Sequence, residues 1–106
     1  MELLERFNDY LAVELRLSEQ TVETYMRDIT AFLTYAGREG QEPGELNAQD
    51  IIDYLIERQT KDNGIEQRTV AKIVSAIRSF FHFCVLEGVR EDNPARQIEL
   101  PRTKYR

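Results

Sequence analysis

One hundred and six residues fill one domain, since roughly 100 to 150 residues is the common unit and a second core would not fit. At 42% hydrophobic and 31% charged the chain can bury a core, which excludes general disorder. The net charge of −5 is unevenly spread: residues 1–60 hold five Arg against thirteen Asp and Glu, for −8, whereas residues 61–106 hold nine Arg and Lys against six acids, for +3. The average charge therefore says little about individual faces. No uninterrupted apolar run reaches the ~18 residues of a membrane span, and Met1, Glu2, Leu3, Leu4 and Glu5 are acidic where a signal peptide is basic, so a soluble cytosolic protein is expected. A lone Cys84 and a lone His82 give neither a disulfide nor a Cys/His zinc set, and no metal or cofactor is expected.

Helical periodicity dominates and no segment alternates as a strand does, which predicts an all-α bundle of four main helices. Leu4, Phe7, Leu11 and Leu15, with Leu3 beside them, recur at spacings of three and four and predict a first helix over residues 2–15. Ser18 is a good N-cap for a second helix, because its hydroxyl can accept from an unpaired backbone N–H, and Glu19 sets negative charge at the positive helix end. Val22, Met26, Ile29, Leu33 and Ala36 form its stripe, and Gly37 is expected to end it. Gly37, Gly40, Pro43 and Gly44 make the following stretch a loop. Asn47 caps a third helix with Asp50 at its third position and Ile51, Ile52, Leu55 and Ile56 as its apolar face; it should fray near Asp62, Asn63 and Gly64. Val70, Ile73, Val74, Ile77, Phe81 and Cys84 predict a fourth helix over 67–87, closed by Gly88. Asn93 and Pro94 break any continuation, so residues 1–94 read as the domain and 95–106, carrying Arg96, Arg102, Lys104 and Arg106 against Glu99, as an extended basic linker.

At 100° per residue, Lys72, Ser75, Ser79 and His82 fall within about 40° of Arg68, opposite the apolar set. Residues 67–86 contain no acid, in a chain where acids occupy 19 positions of 106. Arg and Lys neutralise phosphate or meet guanine while Ser and Thr bond backbone or base, so such a face suits a DNA major groove; a plain solvated face has the same pattern. Gln20, Thr21, Thr24 and Arg27 give the second helix a similar face, interrupted by Glu23 and Asp28. For catalysis the residues are wanting: His82 has no nucleophile or carboxylate at an orienting spacing, Cys84 belongs to the apolar set, and the carboxylates form no acid/base pair. Gly37, Gly40 and Gly44 have neither the preceding strand nor the Lys of a phosphate loop. Tyr105 stands without partners.

Leu17, Ser18, Thr21, Tyr25, Asp28 and Ile29 resemble the L-S-x-x-T-x-x-x-Y-x-x-D-L signature near the N-terminus of tyrosine recombinases. Thr69, Val74, Ser75, Ala76, Ile77, Arg78, Phe80 and Phe81, followed by Glu87, Gly88 and then Asn93, Pro94, are similar to the same family's T-x-x-x-x-L-S-A-L-R-x-F-F, E-G and N-P pattern. Order and separation agree over nearly the whole chain, so it resembles the SAM-like, core-binding N-terminal domain of Xer-type (XerC/XerD-like) recombinases and phage integrases.

The resemblance implies a helical domain forming half of a C-shaped clamp on duplex DNA, its second and fourth helices in or across the major groove. The matching positions are Thr21 and Thr24 on the second helix and Arg68, Thr69, Lys72 and Ser75 on the fourth, with Arg27 and Arg78 as phosphate contacts and Arg102 and Lys104 as linker contacts. It also implies other recombinase subunits as partners, no membrane, and cytoplasmic, nucleoid-associated action in recombination, such as chromosome-dimer resolution or integration of mobile DNA. The family cleaves DNA with a tyrosine aided by arginines, a lysine and histidines of a C-terminal domain, so this chain alone is expected not to be an enzyme. Glu23, and Glu66 in place of the usual Ser cap, depart from the pattern. A protein-interaction module using the acidic first half, or a stand-alone DNA-binding regulator, are the alternatives; the long connection between the second and third helices disfavours a helix-turn-helix.

Overall fold

A helix that is apolar on most of its circumference must be surrounded, and α4 (Gln67–Leu86) is such a helix: nine of its side chains are buried, Ile73, Ile77, Phe80 and Phe81 among them. Around it pack α1 (Glu2–Asp9), α2 (Glu19–Arg38) and α3 (Ala48–Lys61). This computed structural model describes residues 2–61 and 66–98, and no strand occurs among them. The chain is therefore all-α with four main helices, as the periodicity predicts. By length and composition alone α4 is apolar enough to cross a membrane, but half of it is covered by the rest of the fold.

The first helix differs from its expectation in one respect. It continues past Asp9 as a π-helical turn, Tyr10–Glu14, in which Leu15 N–H donates to the Tyr10 carbonyl. Phe7 and Leu11 are fully buried, with Phe7 edge-on to Phe80 at 5.3 Å between ring centroids, but Leu15 is 42% exposed. A π turn holds more residues than an α turn, so the three-and-four spacing no longer carries Leu15 onto the face that Leu11 occupies. Arg16, at φ 54, then reverses the chain, and Leu17 N–H returns to the Leu11 carbonyl. At the C-terminal end of α4, Arg6 pairs with Glu87.

Ser18 caps α2 as expected, its Oγ accepting from Thr21 N–H at 3.2 Å. The helix runs beyond Gly37 to Arg38, because the left-handed residue its termination needs is Gly40 (φ +76), and Gln41 N–H closes the end on the Ala36 carbonyl. A short 3-10 turn, Pro43–Glu45, follows. Asn47 and Asp50 form a reciprocal cap on α3: Asp50 N–H donates to Asn47 Oδ1 at 3.0 Å and Asn47 N–H to Asp50 Oδ2 at 2.8 Å. Ile51 is buried, but Ile52 and Ile56, expected on the apolar face, are 37% and 54% exposed, and Tyr54 is buried instead. The rings of Phe32 and Tyr35 on α2, 5.1 and 5.2 Å from Tyr54, draw that side of α3 inward. The expected fraying at 62–64 lies outside the described residues.

Gly88 (φ +77) ends α4 as expected, and Val89 N–H donates to the Cys84 carbonyl. Two arginines then tie the remaining chain down. Arg90, whose side chain is only 10% exposed, donates to the carbonyls of Pro43 at 3.0 Å and Leu46 at 2.6 Å, bonds Asp92, and lies over the Phe81 ring. It thereby joins the α2–α3 connection to the end of α4. Arg78 donates to the carbonyls of Ala95 and Ile98, while Asn93 donates to the Arg78 carbonyl and accepts from Ala95 N–H. These bonds seat a 3-10 turn, Pro94–Gln97, with Pro94, Ala95 and Ile98 buried. The packed domain thus extends through Ile98 rather than stopping at Pro94; residues 99–106 lie outside the described ones.

Asp28, in the middle of α2, lies within electrostatic reach of Arg27 on its own helix, Arg58 on α3 and Lys72 on α4. Burial pushes its carboxyl above the ordinary 3.8, and the three cations oppose that shift only in part.

Two outcomes are expected. Arg90→Ala leaves two carbonyls without their charged donor and should cost about 2–3 kcal/mol in urea unfolding, with Arg90→Lys recovering only part because one ammonium does not reproduce the planar fork. A raised Asp28 pKa means the folded state binds that proton more tightly than the unfolded chain, so the contribution of Asp28 is most favourable at low pH and declines as pH rises above 3.8 through the folded pKa. The wild-type urea midpoint should therefore gain on that of Asp28→Asn between pH 7 and pH 4, and a constant difference would contradict this account.

Candidate nucleic-acid interface

The side of α4 turned away from the core carries the polar residues that the helical projection groups. Arg68, Lys72 and His82 are exposed, Ser75 and Ser79 between them are half-buried, and Thr69 is half-buried to one side. At 1.5 Å per residue the stripe from Arg68 to His82 is about 21 Å long. Glu66 precedes the helix, and its side chain makes no cap hydrogen bond to the first-turn N–H groups, as expected for a Glu standing where a Ser would serve.

α2 contributes the second set. Thr21 is half-buried and its hydroxyl accepts from Ser18 Oγ at 2.9 Å, which leaves its own proton to donate elsewhere. Thr24 donates to the Gln20 carbonyl at 3.0 Å and so keeps only acceptor capacity. Arg27 is three-quarters exposed and stands 4.0 Å from Asp28. Because Asp28 feels both Arg27 and Lys72, the Arg27 and Lys72 charges belong to one neighbourhood. Glu23 is exposed on the same helix and lowers the local positive potential.

Arg78 is the exception among the expected contacts. Its Nε–H and one Nη–H group are committed to the Ala95 and Ile98 carbonyls, so its structural work is to hold the Pro94–Gln97 turn rather than to present a guanidinium outward. Arg102, Lys104 and Tyr105 lie outside the described residues. Two cations that the sequence reading passed over, Arg58 and Lys61, stand near the C-terminal end of α3; their spacing of three puts them on one side of that helix and is the signal that was there to find.

His82 is exposed. Cys84 is fully buried among apolar side chains, which pushes its thiol up to about 12 and leaves it unreactive. Among the described residues no three His, Cys, Asp or Glu side chains converge as metal ligands.

Comparison with known proteins agrees with this geometry. The phage integrase, N-terminal SAM-like domain matches residues 4–88. A tyrosine recombinase of Thermosipho africanus is 29% identical over 103 residues, covering 97% of this chain and 36% of the relative. The tyrosine recombinase XerD of Listeria monocytogenes is 33% identical over 103 residues, covering 95% and 34%, and that of Pseudomonas aeruginosa is 29% identical over 99 residues, covering 93% and 33%. The chain thus spans about a third of the length of the curated relatives it matches. With the match running from the first helix to the glycine that closes the fourth, the chain belongs to the phage integrase N-terminal SAM-like domain family, the N-terminal domain of tyrosine recombinases.

Proposed function

We propose that this chain is the DNA-binding N-terminal module of a tyrosine site-specific recombinase, gripping duplex DNA through α2 and α4 while strand cleavage is carried by residues outside it. The observation that carries the reading is the exposed, acid-free face of α4, with Arg68 and Lys72 outward in a chain whose net charge is −5. Arg68 and Lys72 meet phosphate or guanine, Thr69 and Ser75 bond backbone or base, and Thr21, Thr24 and Arg27 extend the contact along α2. Arg102 and Lys104 are proposed to follow the duplex as linker contacts. Action on DNA with bacterial recombinases as relatives points to the cytoplasm, with other recombinase subunits as partners.

A second surface suits those subunits. Val13 and Leu86 are 66% and 60% exposed, and with Tyr10 and Phe83 they form the apolar part of a depression of about 480 Å³ where the π turn meets the end of α4, rimmed by Arg6, Asp9, Glu14 and Glu87. Leu86 lies about 27 Å along α4 from Arg68.

Reversing Arg68 and Lys72 to Glu should abolish retardation of a duplex in gel shift, and the single reversals should each lower the salt slope by about 0.9 per lost phosphate contact, with melting unchanged. Unaltered retardation and slope would sink the assignment to α4. For the subunit surface, light scattering should show a concentration-dependent mass that Val13→Glu with Leu86→Glu removes; a strict monomer at all concentrations counts against it.

A further inference from the structure

Residues 1–61 are strongly acidic, yet four of their six cations, Arg27, Arg38, Arg58 and Lys61, line one groove between α2 and α3. The groove has a volume of about 360 Å³, and among the described residues two carboxylates, Asp28 and Glu57, line it. The described lining residues therefore sum to +2 in a region that is otherwise negative. Uneven placement of this kind concentrates potential in a concave surface, where field lines from the walls add.

Two of the four cations are held by aromatic rings. Arg38 lies over the Tyr35 ring at 5.8 Å and Arg58 over the Tyr54 ring at 5.9 Å, with the two rings 5.2 Å apart. Arg58 also donates to the Tyr54 hydroxyl at 3.0 Å. Ring and hydroxyl fix the guanidinium planes, which lowers the ordering cost of meeting a ligand. The carboxylates do not cancel the charge: Arg38 and Glu57 are 3.6 Å apart with side chains 60% and 41% exposed, a pair of the kind that contributes little. Asp28 lines the groove and lies within electrostatic reach of Lys72, so the groove and the cationic side of α4 share one charge neighbourhood.

We infer that this groove is a second phosphodiester subsite, in which Arg38 and Lys61, with Arg27 and Arg58, hold a length of nucleic-acid backbone adjoining the part met by α4. The inference rests on the reading of α4 as a duplex-binding face and adds α3 to it. The volume is at the low end of small-ligand sites, roughly 300 to 1,000 Å³, which accommodates a backbone segment and not a folded partner. Arginines backed by aromatic rings meet phosphate oxygens with two parallel N–H groups, and Lys61 supplies a point charge. None of the four depends on base identity, so the subsite adds affinity and register without adding sequence preference.

The test is ¹⁵N-edited NMR of the chain titrated with a 20-base-pair duplex and, separately, with sodium pyrophosphate, reading the Arg38 and Arg58 Nε–H signals, the Lys61 amide, and the Arg68 and Lys72 amides. The expected result is that duplex moves the groove signals together with those of α4. Movement of α4 alone overturns the groove and leaves the function proposed for α4 intact. Movement of the groove alone upholds the subsite and overturns the assignment to α4, and movement of neither overturns both. Groove signals that respond to pyrophosphate but not to duplex identify a small-anion site and overturn the nucleic-acid assignment. Where duplex binds, Arg38→Gln with Lys61→Gln should lower the salt slope by about 1.8, two contacts at about 0.9 each, with the α4 shifts and the melting temperature retained; an unchanged slope overturns the subsite.

Discussion

The burial of α4 constrains everything around it. A twenty-residue helix with nine buried side chains, fully packed aromatic rings at Phe80 and Phe81 and a buried Cys84 cannot be left on a surface, so α1, α2 and α3 cover it on successive sides. What the neighbours leave uncovered is a strip one or two residues wide, and that strip is where Arg68, Lys72 and His82 emerge. The exposed strip and the core are thus two sides of one helix, and the rigidity of the second is inherited by the first. A cation on such a helix moves only as far as its own side chain permits.

The arginines of the chain divide by what their surroundings ask of them. Arg78 and Arg90 donate to backbone carbonyls, and each fixes a connection between elements distant in sequence. Arg27, Arg38 and Arg68 face solvent. Composition alone assigns all five the same charge; only burial separates the clasping arginines from the solvent-facing ones. Asn93 and Pro94 acquire their meaning in the same way, since the asparagine side chain bonds both Arg78 and Ala95 and the proline begins the short turn they hold.

Much of this was legible beforehand. The Ser18 and Asn47 caps, the apolar stripe of α4 and its closing Gly88 follow from local rules that tertiary packing left undisturbed, and the outward face of α4 follows from the same period. Failures occurred where packing chose between local options. Gly37 and Gly40 are both eligible to end α2, and only the backbone angle decides for the second. Ile52 and Ile56 lost the inner side of α3 to Tyr54 because two aromatic rings on α2 offered it better contact than aliphatic neighbours would. The clasp made by Arg78 has no local sequence signal, because the carbonyls it bonds, those of Ala95 and Ile98, are seventeen and twenty residues away and have no side-chain signature. The groove cations of α3 were overlooked because a net acidic half distracted from where its few bases are.

The π turn at Tyr10–Glu14 bears on how such a chain tolerates change in length. A widened turn amounts to one residue accommodated inside a helix without rotating what lies on either side: Phe7 keeps its place against Phe80, and Ser18 still meets α2 in the register its cap requires. The segment ahead of α2 therefore acts as a buffer for insertions and deletions. A one-residue indel arising there is absorbed by the turn widening or narrowing, whereas the same event within α4 would carry Arg68 and Lys72 about 100° around the helix axis and erase the outward face. Length variation among descendants of this sequence should accordingly collect before Ser18 and be purged between Gln67 and Leu86.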